Sequence, residues 1–199
     1  AGEWQCDIGR IQDATFDNDD VVGLMASQLQ KLPKSTQDTL KRAACIGAHF
    51  DLATLAIIAE KPQVEVASAL WQALQEGLIL PTDQRYKFFQ AVEKSTTEAA
   101  NPTYRFLHDR VQQAAYSLIP EEDKHATHID IGRLLLNQSS LGEKEETVFT
   151  IVNQFNQGLP LIADSTEREQ IAALNLRAGK QARAATAYSA AVDYAQYGI

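Results

Sequence analysis

The chain has 199 residues, 45% of them hydrophobic and 22% charged, with ten Gly and six Pro; this excludes intrinsic disorder and leaves room for one large or two small cores. Its net charge of −8 repels phosphodiester backbones. No apolar run reaches membrane-spanning length and no charged segment leads into an apolar signal, so nucleic acid and membrane are not expected partners and the cytoplasm is the default compartment.

Residues 3–11 alternate Trp4, Cys6 and Ile8 with polar neighbours, as a strand or extended arm would. Turn and capping residues at 17–20 precede Val21, Val22, Met25, Leu29 and Leu32, which share one helical face, and Pro33 stops that helix. Ser35 and Asp38 stand at capping spacing before a second helix whose stripe is Leu40, Ala43, Ala44 and Ile46. Gly47 ends it, and His49 reads as a partner for its negative end. A third helix opens with Asp51 as cap and Phe50 placed to staple onto Leu55, and continues through Ile58 and Ala59. Pro62 opens a fourth, through Val66, Leu70 and Leu74 to Gly77. Residues 78–80, 86–90 and 104–107 are strand candidates, the last two separated by a polar, proline-containing loop at 93–102. Helices followed by strand, loop and strand predict a winged helix with a small β wing over residues 17–119. Trp4 and Trp71 read as packing residues, and Cys45 as a small apolar residue of its helix. Cys6 and Cys45 lack CxxC spacing, so neither a disulfide framework nor a zinc site is indicated.

From residue 120 the pattern is helical throughout. Ile129, Ile131 and Leu134 to Leu136 mark one helix, and Val148, Ile151, Val152 and Phe155 a second ending at Gly158. Ser165 or Thr166, the latter with Glu169 three residues on, caps a third through Ala172, Leu174, Leu176 and Ala178. The last carries Ala187, Tyr188, Ala191, Tyr194 and Ala195. Alanines at close spacing let two antiparallel helices approach while tyrosines fill the gaps, a pattern that resembles a degenerate tetratricopeptide unit. The predicted class is therefore mainly α: a winged-helix domain followed by an α-helical, tetratricopeptide-like bundle over residues 120–199. One such unit leaves an apolar face uncovered, which leads us to expect a continuing array, a protein partner on the repeats, or a homodimer through the C-terminal helices.

A winged helix invites a DNA-binding reading, but the helix before the wing carries Glu65 and Glu76 and no Lys or Arg after Lys61. It would meet phosphates with the wrong sign. The densest basic group, Lys31, Lys34, Lys41 and Arg42, surrounds a helix start instead.

The most informative stretch is residues 103–119, TYRFLHDRVQQAAYSLI. Tyr104 and Phe106 alternate with Arg105 and Leu107, then Val111, Ala114, Ala115 and Leu118 recur at helical spacing. Asp109 reads as the N-cap, with Gln112 returning a capping-box bond, which leaves His108 beside free helix N–H groups that favour an anion. Leu107-His108-Asp109 resembles the Met-His-Asp motif in the winged-helix domain of STAND-type signalling ATPases, in which the histidine touches the β-phosphate of ADP held by the neighbouring ATPase domain. The wider run FLHDRVQQAAYSLIPEEDKHATHIDIGRLLL is similar to the region after the ATPase module in large bacterial proteins that combine a serine/threonine kinase, a predicted AAA-type ATPase, a GAF sensor and a histidine kinase. That resemblance spans nearly the whole chain. It implies that His108 senses ADP and that Asp109 fixes the turn; Arg105 and Arg110 flank the sensor, placed either to assist the phosphate contact or pair with the partner domain, or to stand as exposed charges whose ion pairs contribute little. It also implies that residues 1–16 are the remnant arm of a preceding ATPase domain. ADP or ATP with Mg would then belong to the parent protein, itself an ATPase and a serine/threonine or histidine kinase. Ala1-Gly2 in place of an initiator Met is expected if the chain is an excised piece.

The other motifs fail. Gly179-Lys180 is not a phosphate loop, because Leu174 stands where the first glycine belongs and Gln181 follows the lysine. No catalytic residue is therefore expected, nor ATP hydrolysis by these residues alone. His125 and His128 stand at chelating spacing near Asp123 and Asp130 but lack a defined third ligand and second shell. We expect no metal, with one imidazole facing solvent and the other packing on the interdomain seam. No GxSxG elbow and no kinase signature set is present. The sequence thus predicts a non-catalytic regulatory segment that couples the ADP/ATP state of a neighbouring ATPase domain to a helical arm. Its rivals are an interaction scaffold in which His108 is only a cap, and a DNA-binding winged helix.

Overall fold

A computed structural model describes residues 18–89, 101–138 and 145–198; the predicted N-terminal arm with Trp4 and Cys6, and most of the 93–102 loop, fall outside them. In chain order the elements are α1 (Asn18–Leu29), α2 (Lys34–Ile46), β1 (His49–Asp51), α3 (Leu52–Ala59), α4 (Gln63–Gln75), β2 (Ile79–Pro81), a 3-10 turn (Arg85–Phe89), β3 (Thr103–Phe106), α5 (Asp109–Ser117), α6 (Glu121–Gln138), α7 (Glu145–Gly158), a 3-10 turn (Leu159–Leu161), α8 (Ser165–Ala184) and α9 (Tyr188–Tyr197). The protein is mainly helical with one small three-stranded antiparallel sheet of order β1-β3-β2.

The strands depart from the expectation in two places. The segment predicted as a strand at 86–90 is a 3-10 turn over 85–89, started by the Asp83 carboxylate, which accepts the Arg85 amide (2.8 Å) and its guanidinium (3.0 Å). β1 was not predicted, because three residues carry no readable period. His49, read as a dipole partner of α2, is an exposed strand residue opposite Arg105. The inner face of β1 and β3 presents Phe50, Tyr104 and Phe106, whose rings meet at centroid distances of 5.8 and 5.5 Å. That cross-strand cluster joins Leu40, Leu55, Leu70 and Ile79 in the first core, with α1 and α2 packed on α5. Trp71, expected to pack, is 42% exposed, because α4 turns Val66, Leu70 and Ala73 inward instead.

Helix starts show which capping readings hold. Asp51 caps α3 by accepting the Thr54 amide (2.8 Å) and is steadied by the Asn101 side-chain amide (2.8 Å). Ser35 does not cap α2, which begins behind Pro33 with no side-chain cap. Asp164, not Ser165 or Thr166, caps α8 through the amides of Thr166 and Glu167.

A second core, built from Ile119, Ile129, Ile131, Leu135, Ile151 and Phe155, takes Cys45 and Ile58 from the first half of the chain, so the two halves meet on an apolar seam. A hydrogen-bonded chain crosses it. The Gln154 amide nitrogen donates to the Cys45 carbonyl (2.8 Å), which turns its oxygen toward His128 Nδ1 (2.7 Å); His128 Nε2 then accepts from the Tyr116 hydroxyl (2.9 Å). His128 is therefore neutral with its proton on Nδ1. Beyond it α8 and α9 pack closely: Ala178, Gly179 and Ala182 are buried, and a Cβ on Gly179 would lie 3.3 Å from the Ala191 carbonyl oxygen. Lys180 is exposed in an unbroken helix, as expected.

Burial pushes the His128 imidazole below its ordinary value of 6.5, helped by the nearby His125 and opposed by the Gln154 hydrogen bond. The folded state then binds fewer protons than the unfolded one just below pH 6.5, so stability falls as pH drops through that value and levels off below the folded-state pKa. We predict that the urea midpoint of the wild type declines more steeply on acidification than that of His128→Gln; parallel slopes would contradict it. A second prediction concerns close packing. Gly158→Ala sets a methyl against Ile129 and 2.8 Å from the His125 carbonyl oxygen, and should destabilise by about 1–3 kcal/mol in urea unfolding. Gly23→Ala, with nothing within 4 Å, should instead gain up to about 1 kcal/mol in the same measurement.

Candidate functional site

Three of the four residues singled out in the sequence, His108, Asp109 and Arg110, stand where β3 turns into α5, and Arg105 lies within β3. β3 is the central strand, held by β1 on one side and β2 on the other, and the Phe106 amide donates to Ala48 and the Leu107 amide to Leu78 (3.0 Å each). The turn therefore leaves a fixed platform. Its capping chemistry differs from the expected one by a single residue. His108, with extended backbone (φ −146, ψ 148), is the N-cap, and its Nδ1 accepts the Arg110 amide at 3.4 Å. Asp109 is the first helical residue, an exposed acid in the first turn, where it favours the helix dipole without fixing the turn. Gln112 does not close a capping box; its side-chain amide donates to the Ala44 carbonyl (3.1 Å).

His108 is exposed. With Nδ1 accepting from the backbone, the neutral ring carries its proton on Nε2, which has no hydrogen-bond partner among the described residues. Arg110 is half-buried and donates to the Gln113 side-chain oxygen (2.9 Å). Arg105 lies on the outer face of β3, between His49 of β1 and Leu80 of β2 in the register. No hydrogen bond joins Arg105 or Asp109 to His108 among the described residues. The structure thus keeps His108 and Arg110 adjacent and sets Arg105 on a neighbouring surface. The arrangement offers one imidazole N–H donor at a positive helix end, a combination suited to an anion.

The second histidine pair divides as predicted. His128 is buried in the seam, and His125 faces solvent with Nδ1 toward the Gln157 carbonyl oxygen. No three His, Cys, Asp or Glu side chains gather as a metal group among the described residues. Burial pushes the Cys45 thiol up to about 12, against the charges of Arg42 and Lys124, so it remains protonated and unreactive. No described helix is long and apolar enough to cross a membrane.

No protein-family model matches the chain, and no solved structure matches it. In an alignment of 232 positions it is 29% identical to a stretch of the hybrid signal transduction histidine kinase G of Dictyostelium discoideum, covering 99% of this chain. The chain spans 7% of that protein's length. It is therefore similar to a small region of a signalling kinase, and that relative is not one of the bacterial proteins the sequence likeness pointed to.

The weak cap yields a prediction. A 3.4 Å contact to an imidazole is a poorer cap than a hydroxyl or carboxylate. His108→Ser should raise the melting temperature, by about 0.5–1 kcal/mol of added stability. A lower melting temperature would mean that His108 is held for folding.

Proposed function

We propose that this chain is a regulatory segment of a multidomain signalling kinase, a winged helix (17–119) followed by a tetratricopeptide-like arm (120–199), in which His108 reports the nucleotide held by a neighbouring ATPase domain. The observation that carries the reading is the exposed imidazole at the N-terminus of α5, with its Nε2 proton uncommitted among the described residues. The likeness to a stretch of a hybrid histidine kinase supports the signalling context. The helices around a small sheet and the close-packed α8–α9 hairpin fit the two parts. In this reading ADP's β-phosphate accepts the His108 proton and ties the winged helix to the ATPase core. ATP shifts that phosphate and frees the arm. Arg110 beside His108 would add positive charge, and Arg105 would face the partner domain. Mg and nucleotide belong to that domain, and the segment itself performs no chemistry.

A second reading has its own support. Leu176, Tyr188, Val192 and Tyr197 are large and exposed on α8 and α9, as an interaction scaffold or a dimer contact would require. The two separate in the full-length protein. His108→Ala should speed ADP release by about tenfold or more, the worth of one charge-assisted hydrogen bond. Unchanged ADP release together with a lower melting temperature would leave the scaffold.

A further inference from the structure

An open cleft of about 600 Å3 lies where the two halves meet, within the range of roughly 300–1,000 Å3 typical of small-molecule sites. Its walls come from the last turn of α2, from α5, α6, α7 and α9. Among the described lining residues Asp193 is the one carboxylate, and none is a Lys or Arg. The C-terminus of α2, Ala44 to Gly47, ends in the cleft and brings the negative pole of its dipole. Three tyrosines, Tyr116, Tyr194 and Tyr197, are among the lining residues.

The walls are built rather than incidental. Tyr194 donates to the Asn153 side-chain oxygen (2.9 Å), and its ring packs on Phe149 with centroids 5.6 Å apart. Tyr116 and Gln154 are held by the His128 chain, and both His128 nitrogens are spent there, so the imidazole brings no positive charge to the cleft. Lys124 lies 4.8 Å from the Tyr116 ring centroid but is paired with Glu121 and does not line the cleft. With Asp193 in its wall, the negative end of the α2 dipole beside it and no Lys or Arg among the described lining residues, the cleft favours positive charge over phosphate, although the Ala44 and Cys45 carbonyls already accept from Gln112 and Gln154.

We propose that this cleft binds a small organic cation, an alkyl ammonium or alkyl guanidinium whose head is drawn to Asp193 and the carbonyl end of α2 while its stem lies on Tyr194 and Tyr197. The site is independent of the nucleotide reading, since it shares no residue with the His108 turn.

The test is a titration of the intact chain with agmatine, followed by amide chemical shifts, with glutarate as the probe of opposite charge. Saturable shifts at residues 44–47 and 193–197 are expected with agmatine and none with glutarate. Asp193→Asn should weaken agmatine about tenfold, the scale of one charge-assisted contact. Glu169→Gln removes the same charge from an exposed position on α8 and should leave affinity unchanged. Tyr197→Ala, also at an exposed residue, gives a second variant that does not threaten the fold. Absence of saturation, equal response to glutarate, or equal weakening by Asp193→Asn and Glu169→Gln would overturn the site.

Discussion

The end of α2 is the place on which the arrangement of the two halves depends. A helix leaves its last carbonyls without intrahelical donors, and buried carbonyls left unpaired cost about 1–3 kcal/mol each. Here Ala43 takes the Gly47 amide (3.2 Å), Ala44 takes Gln112 from α5, and Cys45 takes Gln154 from α7. Two of those three donors are side chains remote in sequence. The first half of the chain therefore closes its own helix only when α7 of the second half is docked. Gln154 can meet Cys45 with its nitrogen only by turning its oxygen to His128, and this fixes the imidazole tautomer and, through it, the Tyr116 hydroxyl. One backbone requirement thus sets the orientation of side chains on three further helices.

The two histidines of greatest interest show how the same side chain is divided between structure and recognition. His128 spends both ring nitrogens inside the protein, and desolvation holds it neutral. His108 spends one nitrogen on a long capping contact and faces solvent. Only the second has a donor to offer a ligand. Serine, threonine, aspartate or asparagine would cap this turn better than the imidazole that stands there.

What could be read from the sequence follows the range of the interactions. Asp51 as a cap was legible because its acceptor role is settled three residues away, at Thr54. The same rule applied to Asp109 placed the cap one residue late, because a histidine ranks low as a cap and the backbone angles that decide the matter are not visible in composition. β1 needs β3 for its hydrogen bonds, and the Asn101 contact that steadies Asp51 comes from fifty residues away. Trp71 was misread for a related reason: its helix has apolar residues on two faces, and only packing shows which of them is covered. That one of His125 and His128 packs on the seam was legible from their spacing, but not that it is His128. Its partners Gln154 and Tyr116, and the Gln112 bond to Ala44, were not, since long-range polar pairs leave no periodic trace.

α5 links the two surfaces of interest. His108 caps its first turn, while Gln112 and Tyr116 on the same helix reach the α2 terminus and the His128 chain. Tyr116 stands eight residues after His108, about 12 Å of rise. A helix this short does not bend appreciably along its length, so it moves as a unit or not at all. Gln112 and Tyr116 thus belong to the same short rigid helix that His108 caps. These are the side chains that hold the closed end of α2 and wall the cleft at the seam. The β3 platform resists that displacement on one side, with Tyr104 and Phe106 locked against Phe50. On the other side stands the hydrogen-bonded chain of Tyr116, His128 and Gln154 that crosses the apolar seam.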